Sequence, residues 1–285
     1  MPWMHTYAMP ALFVLLWATG FIGAKFGLPY APPLTFLLLR VGIVIFLMTG
    51  ISVLMRAPWP RGVQVLHIAL AGVLLQAGYL GGVFCAINFG MSAGLSALIV
   101  GLQPLLTVAY AAASGEPVSK RQWAGFVLGF SGVALVVAHK TGSFGVGWQA
   151  LACAVTALVS ITAGTIYQKR FCGAQDLRTQ SVVQFIAAGM VFLPLALAFE
   201  TRPVVWSGEF VFALGWLVIV LSLGAITLLL LLIRRDAATR VSSLMYLVPP
   251  VTASLAWALF DEVLTLTGLA GMVLAVIGVA LVLRR

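Results

Sequence analysis

Glu116–Val137 reads EPVSKRQWAGFVLGFSGVALVV, and Glu262–Leu283 reads EVLTLTGLAGMVLAVIGVALVL. Aligned without a gap, ten of these 22 positions are identical, among them Glu116/Glu262, Gly125/Gly271 and Gly132/Gly278. The offset is 146 residues, about half of a 285-residue chain, and the echo reaches back to Ser96/Ser242 and Pro104/Pro250. A repeat at this scale decides the fold before any local reading does. It divides the chain into two similar halves, residues 1–140 and 147–285.

The composition is 62% hydrophobic and only 8% charged, where a soluble domain carries about 25% charged residues. The chain therefore reads as an all-α membrane protein, and neither half carries a polar domain. A bilayer core takes roughly 20 apolar helical residues. Ten such spans fit, near 8–27, 34–55, 64–86, 91–112, 122–138, 148–170, 181–200, 211–231, 241–260 and 267–283. Cys85, Cys153 and Cys172 are isolated, with neither pairing nor metal-ligand spacing, so no disulfide framework or metal site is expected. The net charge of +9 lacks the aromatic interleaving of a nucleic-acid site and reads instead as topology information.

With the N-terminus placed in the cytoplasm, the inner connections and C-terminus hold Arg56, Arg61, Lys120, Arg121, Lys169, Arg170, Arg178, Arg234, Arg235, Arg240, Arg284 and Arg285. The outer connections hold only Lys140 and Arg202. This bias predicts a multi-pass protein with both termini inside. Five spans per half is an odd number, so the second half must enter from the opposite face. The halves then form inverted repeats, a common transporter plan with its site near the midplane where they meet.

At these residues a family resemblance enters. GEPVSKRQWAGFVLGFSGVALVV and DEVLTLTGLAGMVLAVIGVALVL resemble the endings of EamA domains in the drug/metabolite transporter superfamily. The opening ALFVLLWATGFIGAKFGL with PPLTFLLLRVGIVIFLM, and Leu102-Gln103-Pro104, are similar to the family's first, second and fourth spans. Within the family the chain is most like the YddG-type aromatic amino-acid exporters. The resemblance implies ten helices in two inverted five-helix repeats and export of a small-molecule substrate across the bacterial inner membrane, without cofactor.

The seven acids, Glu116, Asp176, Glu200, Glu209, Asp236, Asp261 and Glu262, all fall at span ends or in loops. A coupling proton needs a titratable group at depth, so facilitated diffusion is favoured over proton antiport. Lys25 and Arg40 lie inside the first two spans near their outer ends. Either they face the cavity and attract a carboxylate, or they snorkel to the interface. Trp17, Gln76, Tyr79, Gln103, Ser160 and Tyr246 sit nearer mid-span as pocket candidates, interhelical bonding being the alternative. Thr162 belongs with them. Pro104 and the pair Pro249-Pro250 interrupt spans 4 and 9 at matching depths and are candidate hinges or gates. Gly125, Gly129, Gly132, Gly268, Gly271 and Gly278 read as packing faces of a scaffold or a weak dimer. Trp3, Trp59, Trp148 and Trp206 fall near span ends as interfacial anchors.

The expected function is export of amino acids, aromatic and other neutral ones included, or of related metabolites by alternating access. Export of amphipathic drugs or sugar-linked metabolites is the alternative. A membrane-embedded enzyme or a non-transporting scaffold comes last, because no catalytic constellation is present. The orientation has a direct check. A green fluorescent protein fused after Arg285 should fluoresce and alkaline phosphatase fused there should be inactive, with the reverse result for fusions at Gly147.

Overall fold

The computed structural model describes residues 9–143, 146–173, 175–225, 247–262 and 265–283. The described residues are helical, with no strand. In chain order they form α1 (Met9–Gly27), α2 (Pro33–Leu54), α3 (Val63–Asn88), α4 (Ala93–Ala113), α5 (Lys120–Ser143), α6 (Trp148–Phe171) and α7 (Leu177–Phe199). Then come α8 (Gly208–Gly215, continuing through a π-helical stretch Trp216–Ala225), α9 (Val248–Phe260) and α10 (Leu266–Leu283). Seven of these helices are long and apolar enough to cross a membrane, and α1, α8 and α9 contribute shorter apolar runs. Trp59, Trp148 and Trp206 lie exposed just outside or at the helix starts, as interfacial anchors should.

Lipid is as apolar as leucine, so helices in a membrane associate through close packing rather than hydrophobic expulsion. The repeated stretches use glycine for this purpose. α5 and α10 cross antiparallel, backbone against backbone. A Cβ added at Gly125 would lie 2.6 Å from the Gly278 carbonyl oxygen, and one at Gly271 would lie 2.6 Å from that of Gly132. Gly125 and Gly271 are equivalent positions of the repeat, and so are Gly132 and Gly278. The two contacts are therefore the same contact with the partners exchanged.

A second antiparallel pair, α2 and α7, shows a related exchange. Glu200, just past α7, accepts hydrogen bonds from the backbone N–H groups of Leu34 and Thr35 at 2.8 and 2.7 Å. At the other end, Arg178 of α7 contacts the Met55 sulfur beside the end of α2, and the Thr179 hydroxyl donates to the Pro58 carbonyl at 2.8 Å. The end of the bundle carrying Arg56, Arg61, Lys169, Arg170 and Arg178 is called the basic end below.

Both α3 and α8 widen into π-helix, at Val73–Gly78 and Trp216–Ala225. On the 146-residue offset, 73–78 falls on 219–224, inside the second stretch. Such widened turns concentrate at functional sites because they re-aim side chains. Just before and after the first one, glycines admit neighbours: Gly72 sits against the backbone of Gln184 in α7, and Gly82 against the Cys153 carbonyl in α6.

α4 is broken at Gly101-Leu102, and Pro104 stands in the first turn of its second piece, Gln103–Ala113. Pro249 and Pro250 stand in the first described turn of α9. The two sites meet: a Cβ at Gly101 would touch the Pro249 ring at 3.0 Å. Pro194 lies inside α7.

The glycine crossing has a clear consequence for stability. Gly132→Val and Gly278→Val should each destabilise the protein by about 1–3 kcal/mol through forced backbone separation. Gly42→Ala, where nothing lies within 4 Å, should leave it unchanged. Thermal unfolding followed by size-exclusion chromatography in detergent checks the contrast.

Candidate functional site

A cavity of about 440 Å³ lies among α1, α2, α3, α4, α6, α7 and α8. Ligand pockets commonly span roughly 300–1,000 Å³. Its polar lining comes from Arg40, Gln76, Tyr79, Gln103, Thr165, Gln168, Gln180, Ser181, Gln184 and Ser222. Its apolar lining is dominated by aromatic rings, among them Phe13, Trp17, Phe21, Phe84 and Phe185.

The widened turns supply two of the polar groups. Gln76 comes from the π stretch of α3, and Ser222 from that of α8, at offset-equivalent positions. The Ser222 hydroxyl also donates to the Leu217 carbonyl five residues back at 3.0 Å, which anchors it in the wide turn. Arg40 of α2 has no such counterpart: its equivalent position is Ile186, exposed on the outside of the bundle. Arg40 is only 5% exposed, and its guanidinium donates to the Ser222 hydroxyl at 3.2 Å. Its Nε finds no partner, and no carboxylate pairs with it among the described residues.

Toward the basic end the wall becomes amide-rich. The Gln184 amide donates to Gln168 at 2.8 Å, and the Gln103 amide donates to the Thr165 hydroxyl at 3.0 Å. Gln180 is 2% exposed and its Oε1 accepts nothing. The lining continues there to Leu177 and Ser181 in the first turns of α7. Beneath, Asp176 caps α7 and holds the Arg178 guanidinium at 2.6 and 3.0 Å. That bonding keeps the Asp176 carboxyl below the usual carboxylate range. Beside the cavity mouth, His67 shares a 2.7 Å hydrogen bond with Tyr167 and stacks on Phe171 at 4.9 Å.

Toward the other end the bundle is sealed. Phe36, Phe84 and Phe210 form a buried aromatic plug, with ring centroids 5.4 and 5.0 Å from Phe36 to Phe84 and Phe210. Outside it, Lys25 donates to Glu262, whose carboxylate also accepts the Ala93 backbone N–H at 3.1 Å. The Lys25 ammonium lies 4.9 Å from the Phe260 ring centre. Arg202 donates to the Leu28 carbonyl at 2.7 Å in the same layer. One latch thus joins α1, α4 and the end of α9.

The expected residues sort accordingly. Trp17, Arg40, Gln76, Tyr79 and Gln103 come together around the cavity. Lys25 does not line it and is held in the latch. Ser160 does not line it either; it packs against Gly78, where a Cβ would stand 2.5 Å from its hydroxyl oxygen. Thr162 bonds back to the Leu158 carbonyl of its own helix at 2.7 Å. Tyr246 lies outside the described residues. The sequence reading missed Thr165, Gln168, Gln180 and Gln184. Their spacing was the available signal, since Thr165/Gln168 and Gln180/Gln184 are separated by three and four residues and share helix faces.

Residues 5–138 and again 148–284 match the EamA-like transporter family. The chain belongs to that family. EamA-like proteins are transporters rather than enzymes, which fits a membrane bundle with an internal cavity and a small-molecule substrate. Similar proteins include YvbV, a transporter of Bacillus subtilis, 28% identical over 99% of this chain and 92% of its own. A probable amino-acid metabolite efflux pump of Salmonella typhimurium is 26% identical over 94% of this chain and 91% of its own. The inner membrane transporter YedA of Escherichia coli is 27% identical, over 96% and 89%. A crystal structure with 20% sequence identity superposes with a TM-score of 0.64, covering 97% of this chain and 95% of that one, and so shares the fold.

The latch makes a testable gate. A partly buried ion pair contributes up to about 1 kcal/mol, so its loss should shift a two-state equilibrium roughly two- to fivefold. In a background lacking Cys85, Cys153 and Cys172, Val83→Cys would place a thiol in the cavity just inside the plug. Its labelling by an impermeant maleimide applied from the latch side should be slow. Adding Lys25→Ala or Glu262→Gln should raise that rate two- to fivefold. An unchanged rate would assign the pair to static packing.

Proposed function

We propose that this protein exports amino acids or closely related small metabolites across the inner membrane by alternating access, as a facilitator that uses the substrate's own gradient. The observation that carries the reading is the cavity itself. It reaches toward the basic end, stops at an aromatic plug, and holds a buried guanidinium without a carboxylate partner among amides and aromatic rings. A carboxylate would satisfy Arg40 and Ser222, and an apolar side chain would lie against Trp17, Tyr79 and the phenylalanines. Aromatic bodies with polar tips suit amphipathic solutes.

Under this reading the two halves are inverted five-helix repeats, ten spans in all, with both termini in the cytoplasm. Support comes from the exchanged contacts of α5 with α10, from the offset-equivalent π stretches, and from two separate family matches of similar length. The basic end then faces the cytoplasm, so the described state is open inward, where an exporter loads. The break in α4 and the start of α9, meeting at Gly101 and Pro249, are the proposed hinge. The Salmonella relative's name as an amino-acid metabolite efflux pump agrees with the substrate class. The charge of the cavity weighs against a second candidate cargo, lipophilic cationic drugs, because Arg40 would repel them.

The test is a flux panel in proteoliposomes. Radiolabelled amino acids should move without a pH gradient, while nucleosides and cationic dyes should not. Arg40→Gln and Trp17→Ala should each lower amino-acid flux by about tenfold or more, the scale of one lost charged or aromatic contact in a buried site. Flux seen only with a pH gradient would overturn the facilitator, and absence of amino-acid flux would overturn the substrate class.

A further inference from the structure

We infer, building on the transport reading above, that the cavity selects singly charged anions: amphipathic carboxylates whose amine is acylated or absent, in preference to free zwitterions, with organic cations excluded. The argument begins with the placement of charge. Among the described residues, Arg40 is the charged group of the lining. Its Nε has no partner, and its guanidinium donates to the Ser222 hydroxyl. A buried cation in that condition is stabilised most by an anion that accepts two of its N–H donors.

Among the described residues no acid stands ready for a substrate ammonium. Glu200 caps α2, Glu262 holds Lys25 and Asp176 holds Arg178. Glu116, Glu209 and Asp261 lie at helix ends, and none of these six lines the cavity. Asp236 lies outside the described residues. The α-ammonium of a zwitterion is attached to the carbon beside its carboxylate. A carboxylate seated on Arg40 therefore brings the ammonium close to the same guanidinium, in a setting where charges are poorly screened.

The rest of the described polar wall is neutral. Gln184 and Gln103 are fixed by Gln168 and Thr165, and the Gln180 carbonyl oxygen is buried and unused. Acylating or removing the amine takes away the positive charge. Such a solute fits two features: its carboxylate meets Arg40 and Ser222, and its ring meets the aromatic lining.

Three solutes of one skeleton test the idea in proteoliposomes of the full chain at neutral pH without a gradient: N-acetyl-L-tyrosine, L-tyrosine and tyramine. At equal concentration the acetylated anion should move at least about tenfold faster than the zwitterion, and the amine should stay at background. Arg40→Lys should retain the anion preference, whereas Arg40→Gln should abolish it. As a readout independent of flux, N-acetyl-L-tyrosine should raise the unfolding temperature of the wild type and of Arg40→Lys in detergent, but not of Arg40→Gln. Tyrosine flux equal to or above that of its acetylated form would overturn the inference and leave the transport reading standing. Retention of the anion preference in Arg40→Gln would also overturn it. If no solute of this set and no amino acid moves at all, both fall together.

Discussion

Close backbone contact through glycine is the constraint on which the bundle depends. In water a helix pair gains from hiding apolar surface, but in lipid that gain is absent and packing must supply the attachment. Gly125, Gly132, Gly271 and Gly278 let α5 and α10 meet at carbonyl distance, and Gly72 and Gly82 do the same for α3 against α7 and α6. α5 and α10 contribute no lining residue to the cavity. They hold the bundle at its side, while helices with fewer direct backbone contacts surround the space.

That division leaves the cavity free to be chemically lopsided. The two π stretches aim Gln76 and Ser222 inward from offset-equivalent positions, so the polar frame follows the repeat. The charge does not: Arg40 stands on α2 while its equivalent on α7 is an outward isoleucine. Gln168, Gln180 and Gln184 lie on α6 and α7, toward the basic end. A duplicated scaffold thus presents a cationic end and an amide end, which gives an asymmetric solute one preferred orientation. The seal is built differently again, from an aromatic plug and from the acids Glu200 and Glu262 serving backbone N–H groups and Lys25.

Membrane class and helical content were legible because they rest on composition and local periodicity, and the family was legible in the motifs of the two repeat endings that resemble it. A span announces itself by its apolar length, and the repeated glycines mark close packing wherever they fall. Arg40, Trp17, Gln76, Tyr79 and Gln103 were visible as cavity residues for a related reason: a polar or amphipathic side chain at depth must have a partner or a purpose. Lys25 and Ser160 met the same criterion and serve packing and latching instead. Depth along a helix can be counted in the sequence, but the direction a side chain faces around the bundle cannot.

The sequence by itself determined that this chain is a helical membrane protein of two similar halves, and its motifs match the EamA-like transporters. The first follows from residue type and spacing, the second from likeness to known family members. The tertiary structure decided which polar groups converge, that Lys25 belongs to Glu262 rather than to the cavity, that Gln168, Gln180 and Gln184 line the entrance, and which end is sealed. These depend on helix rotation and on contacts between residues far apart in the chain, such as Lys25 with Glu262 and Thr35 with Glu200. Only packing in three dimensions fixes such pairs, because the choice among many possible partners is set by which backbones the glycines allow to approach.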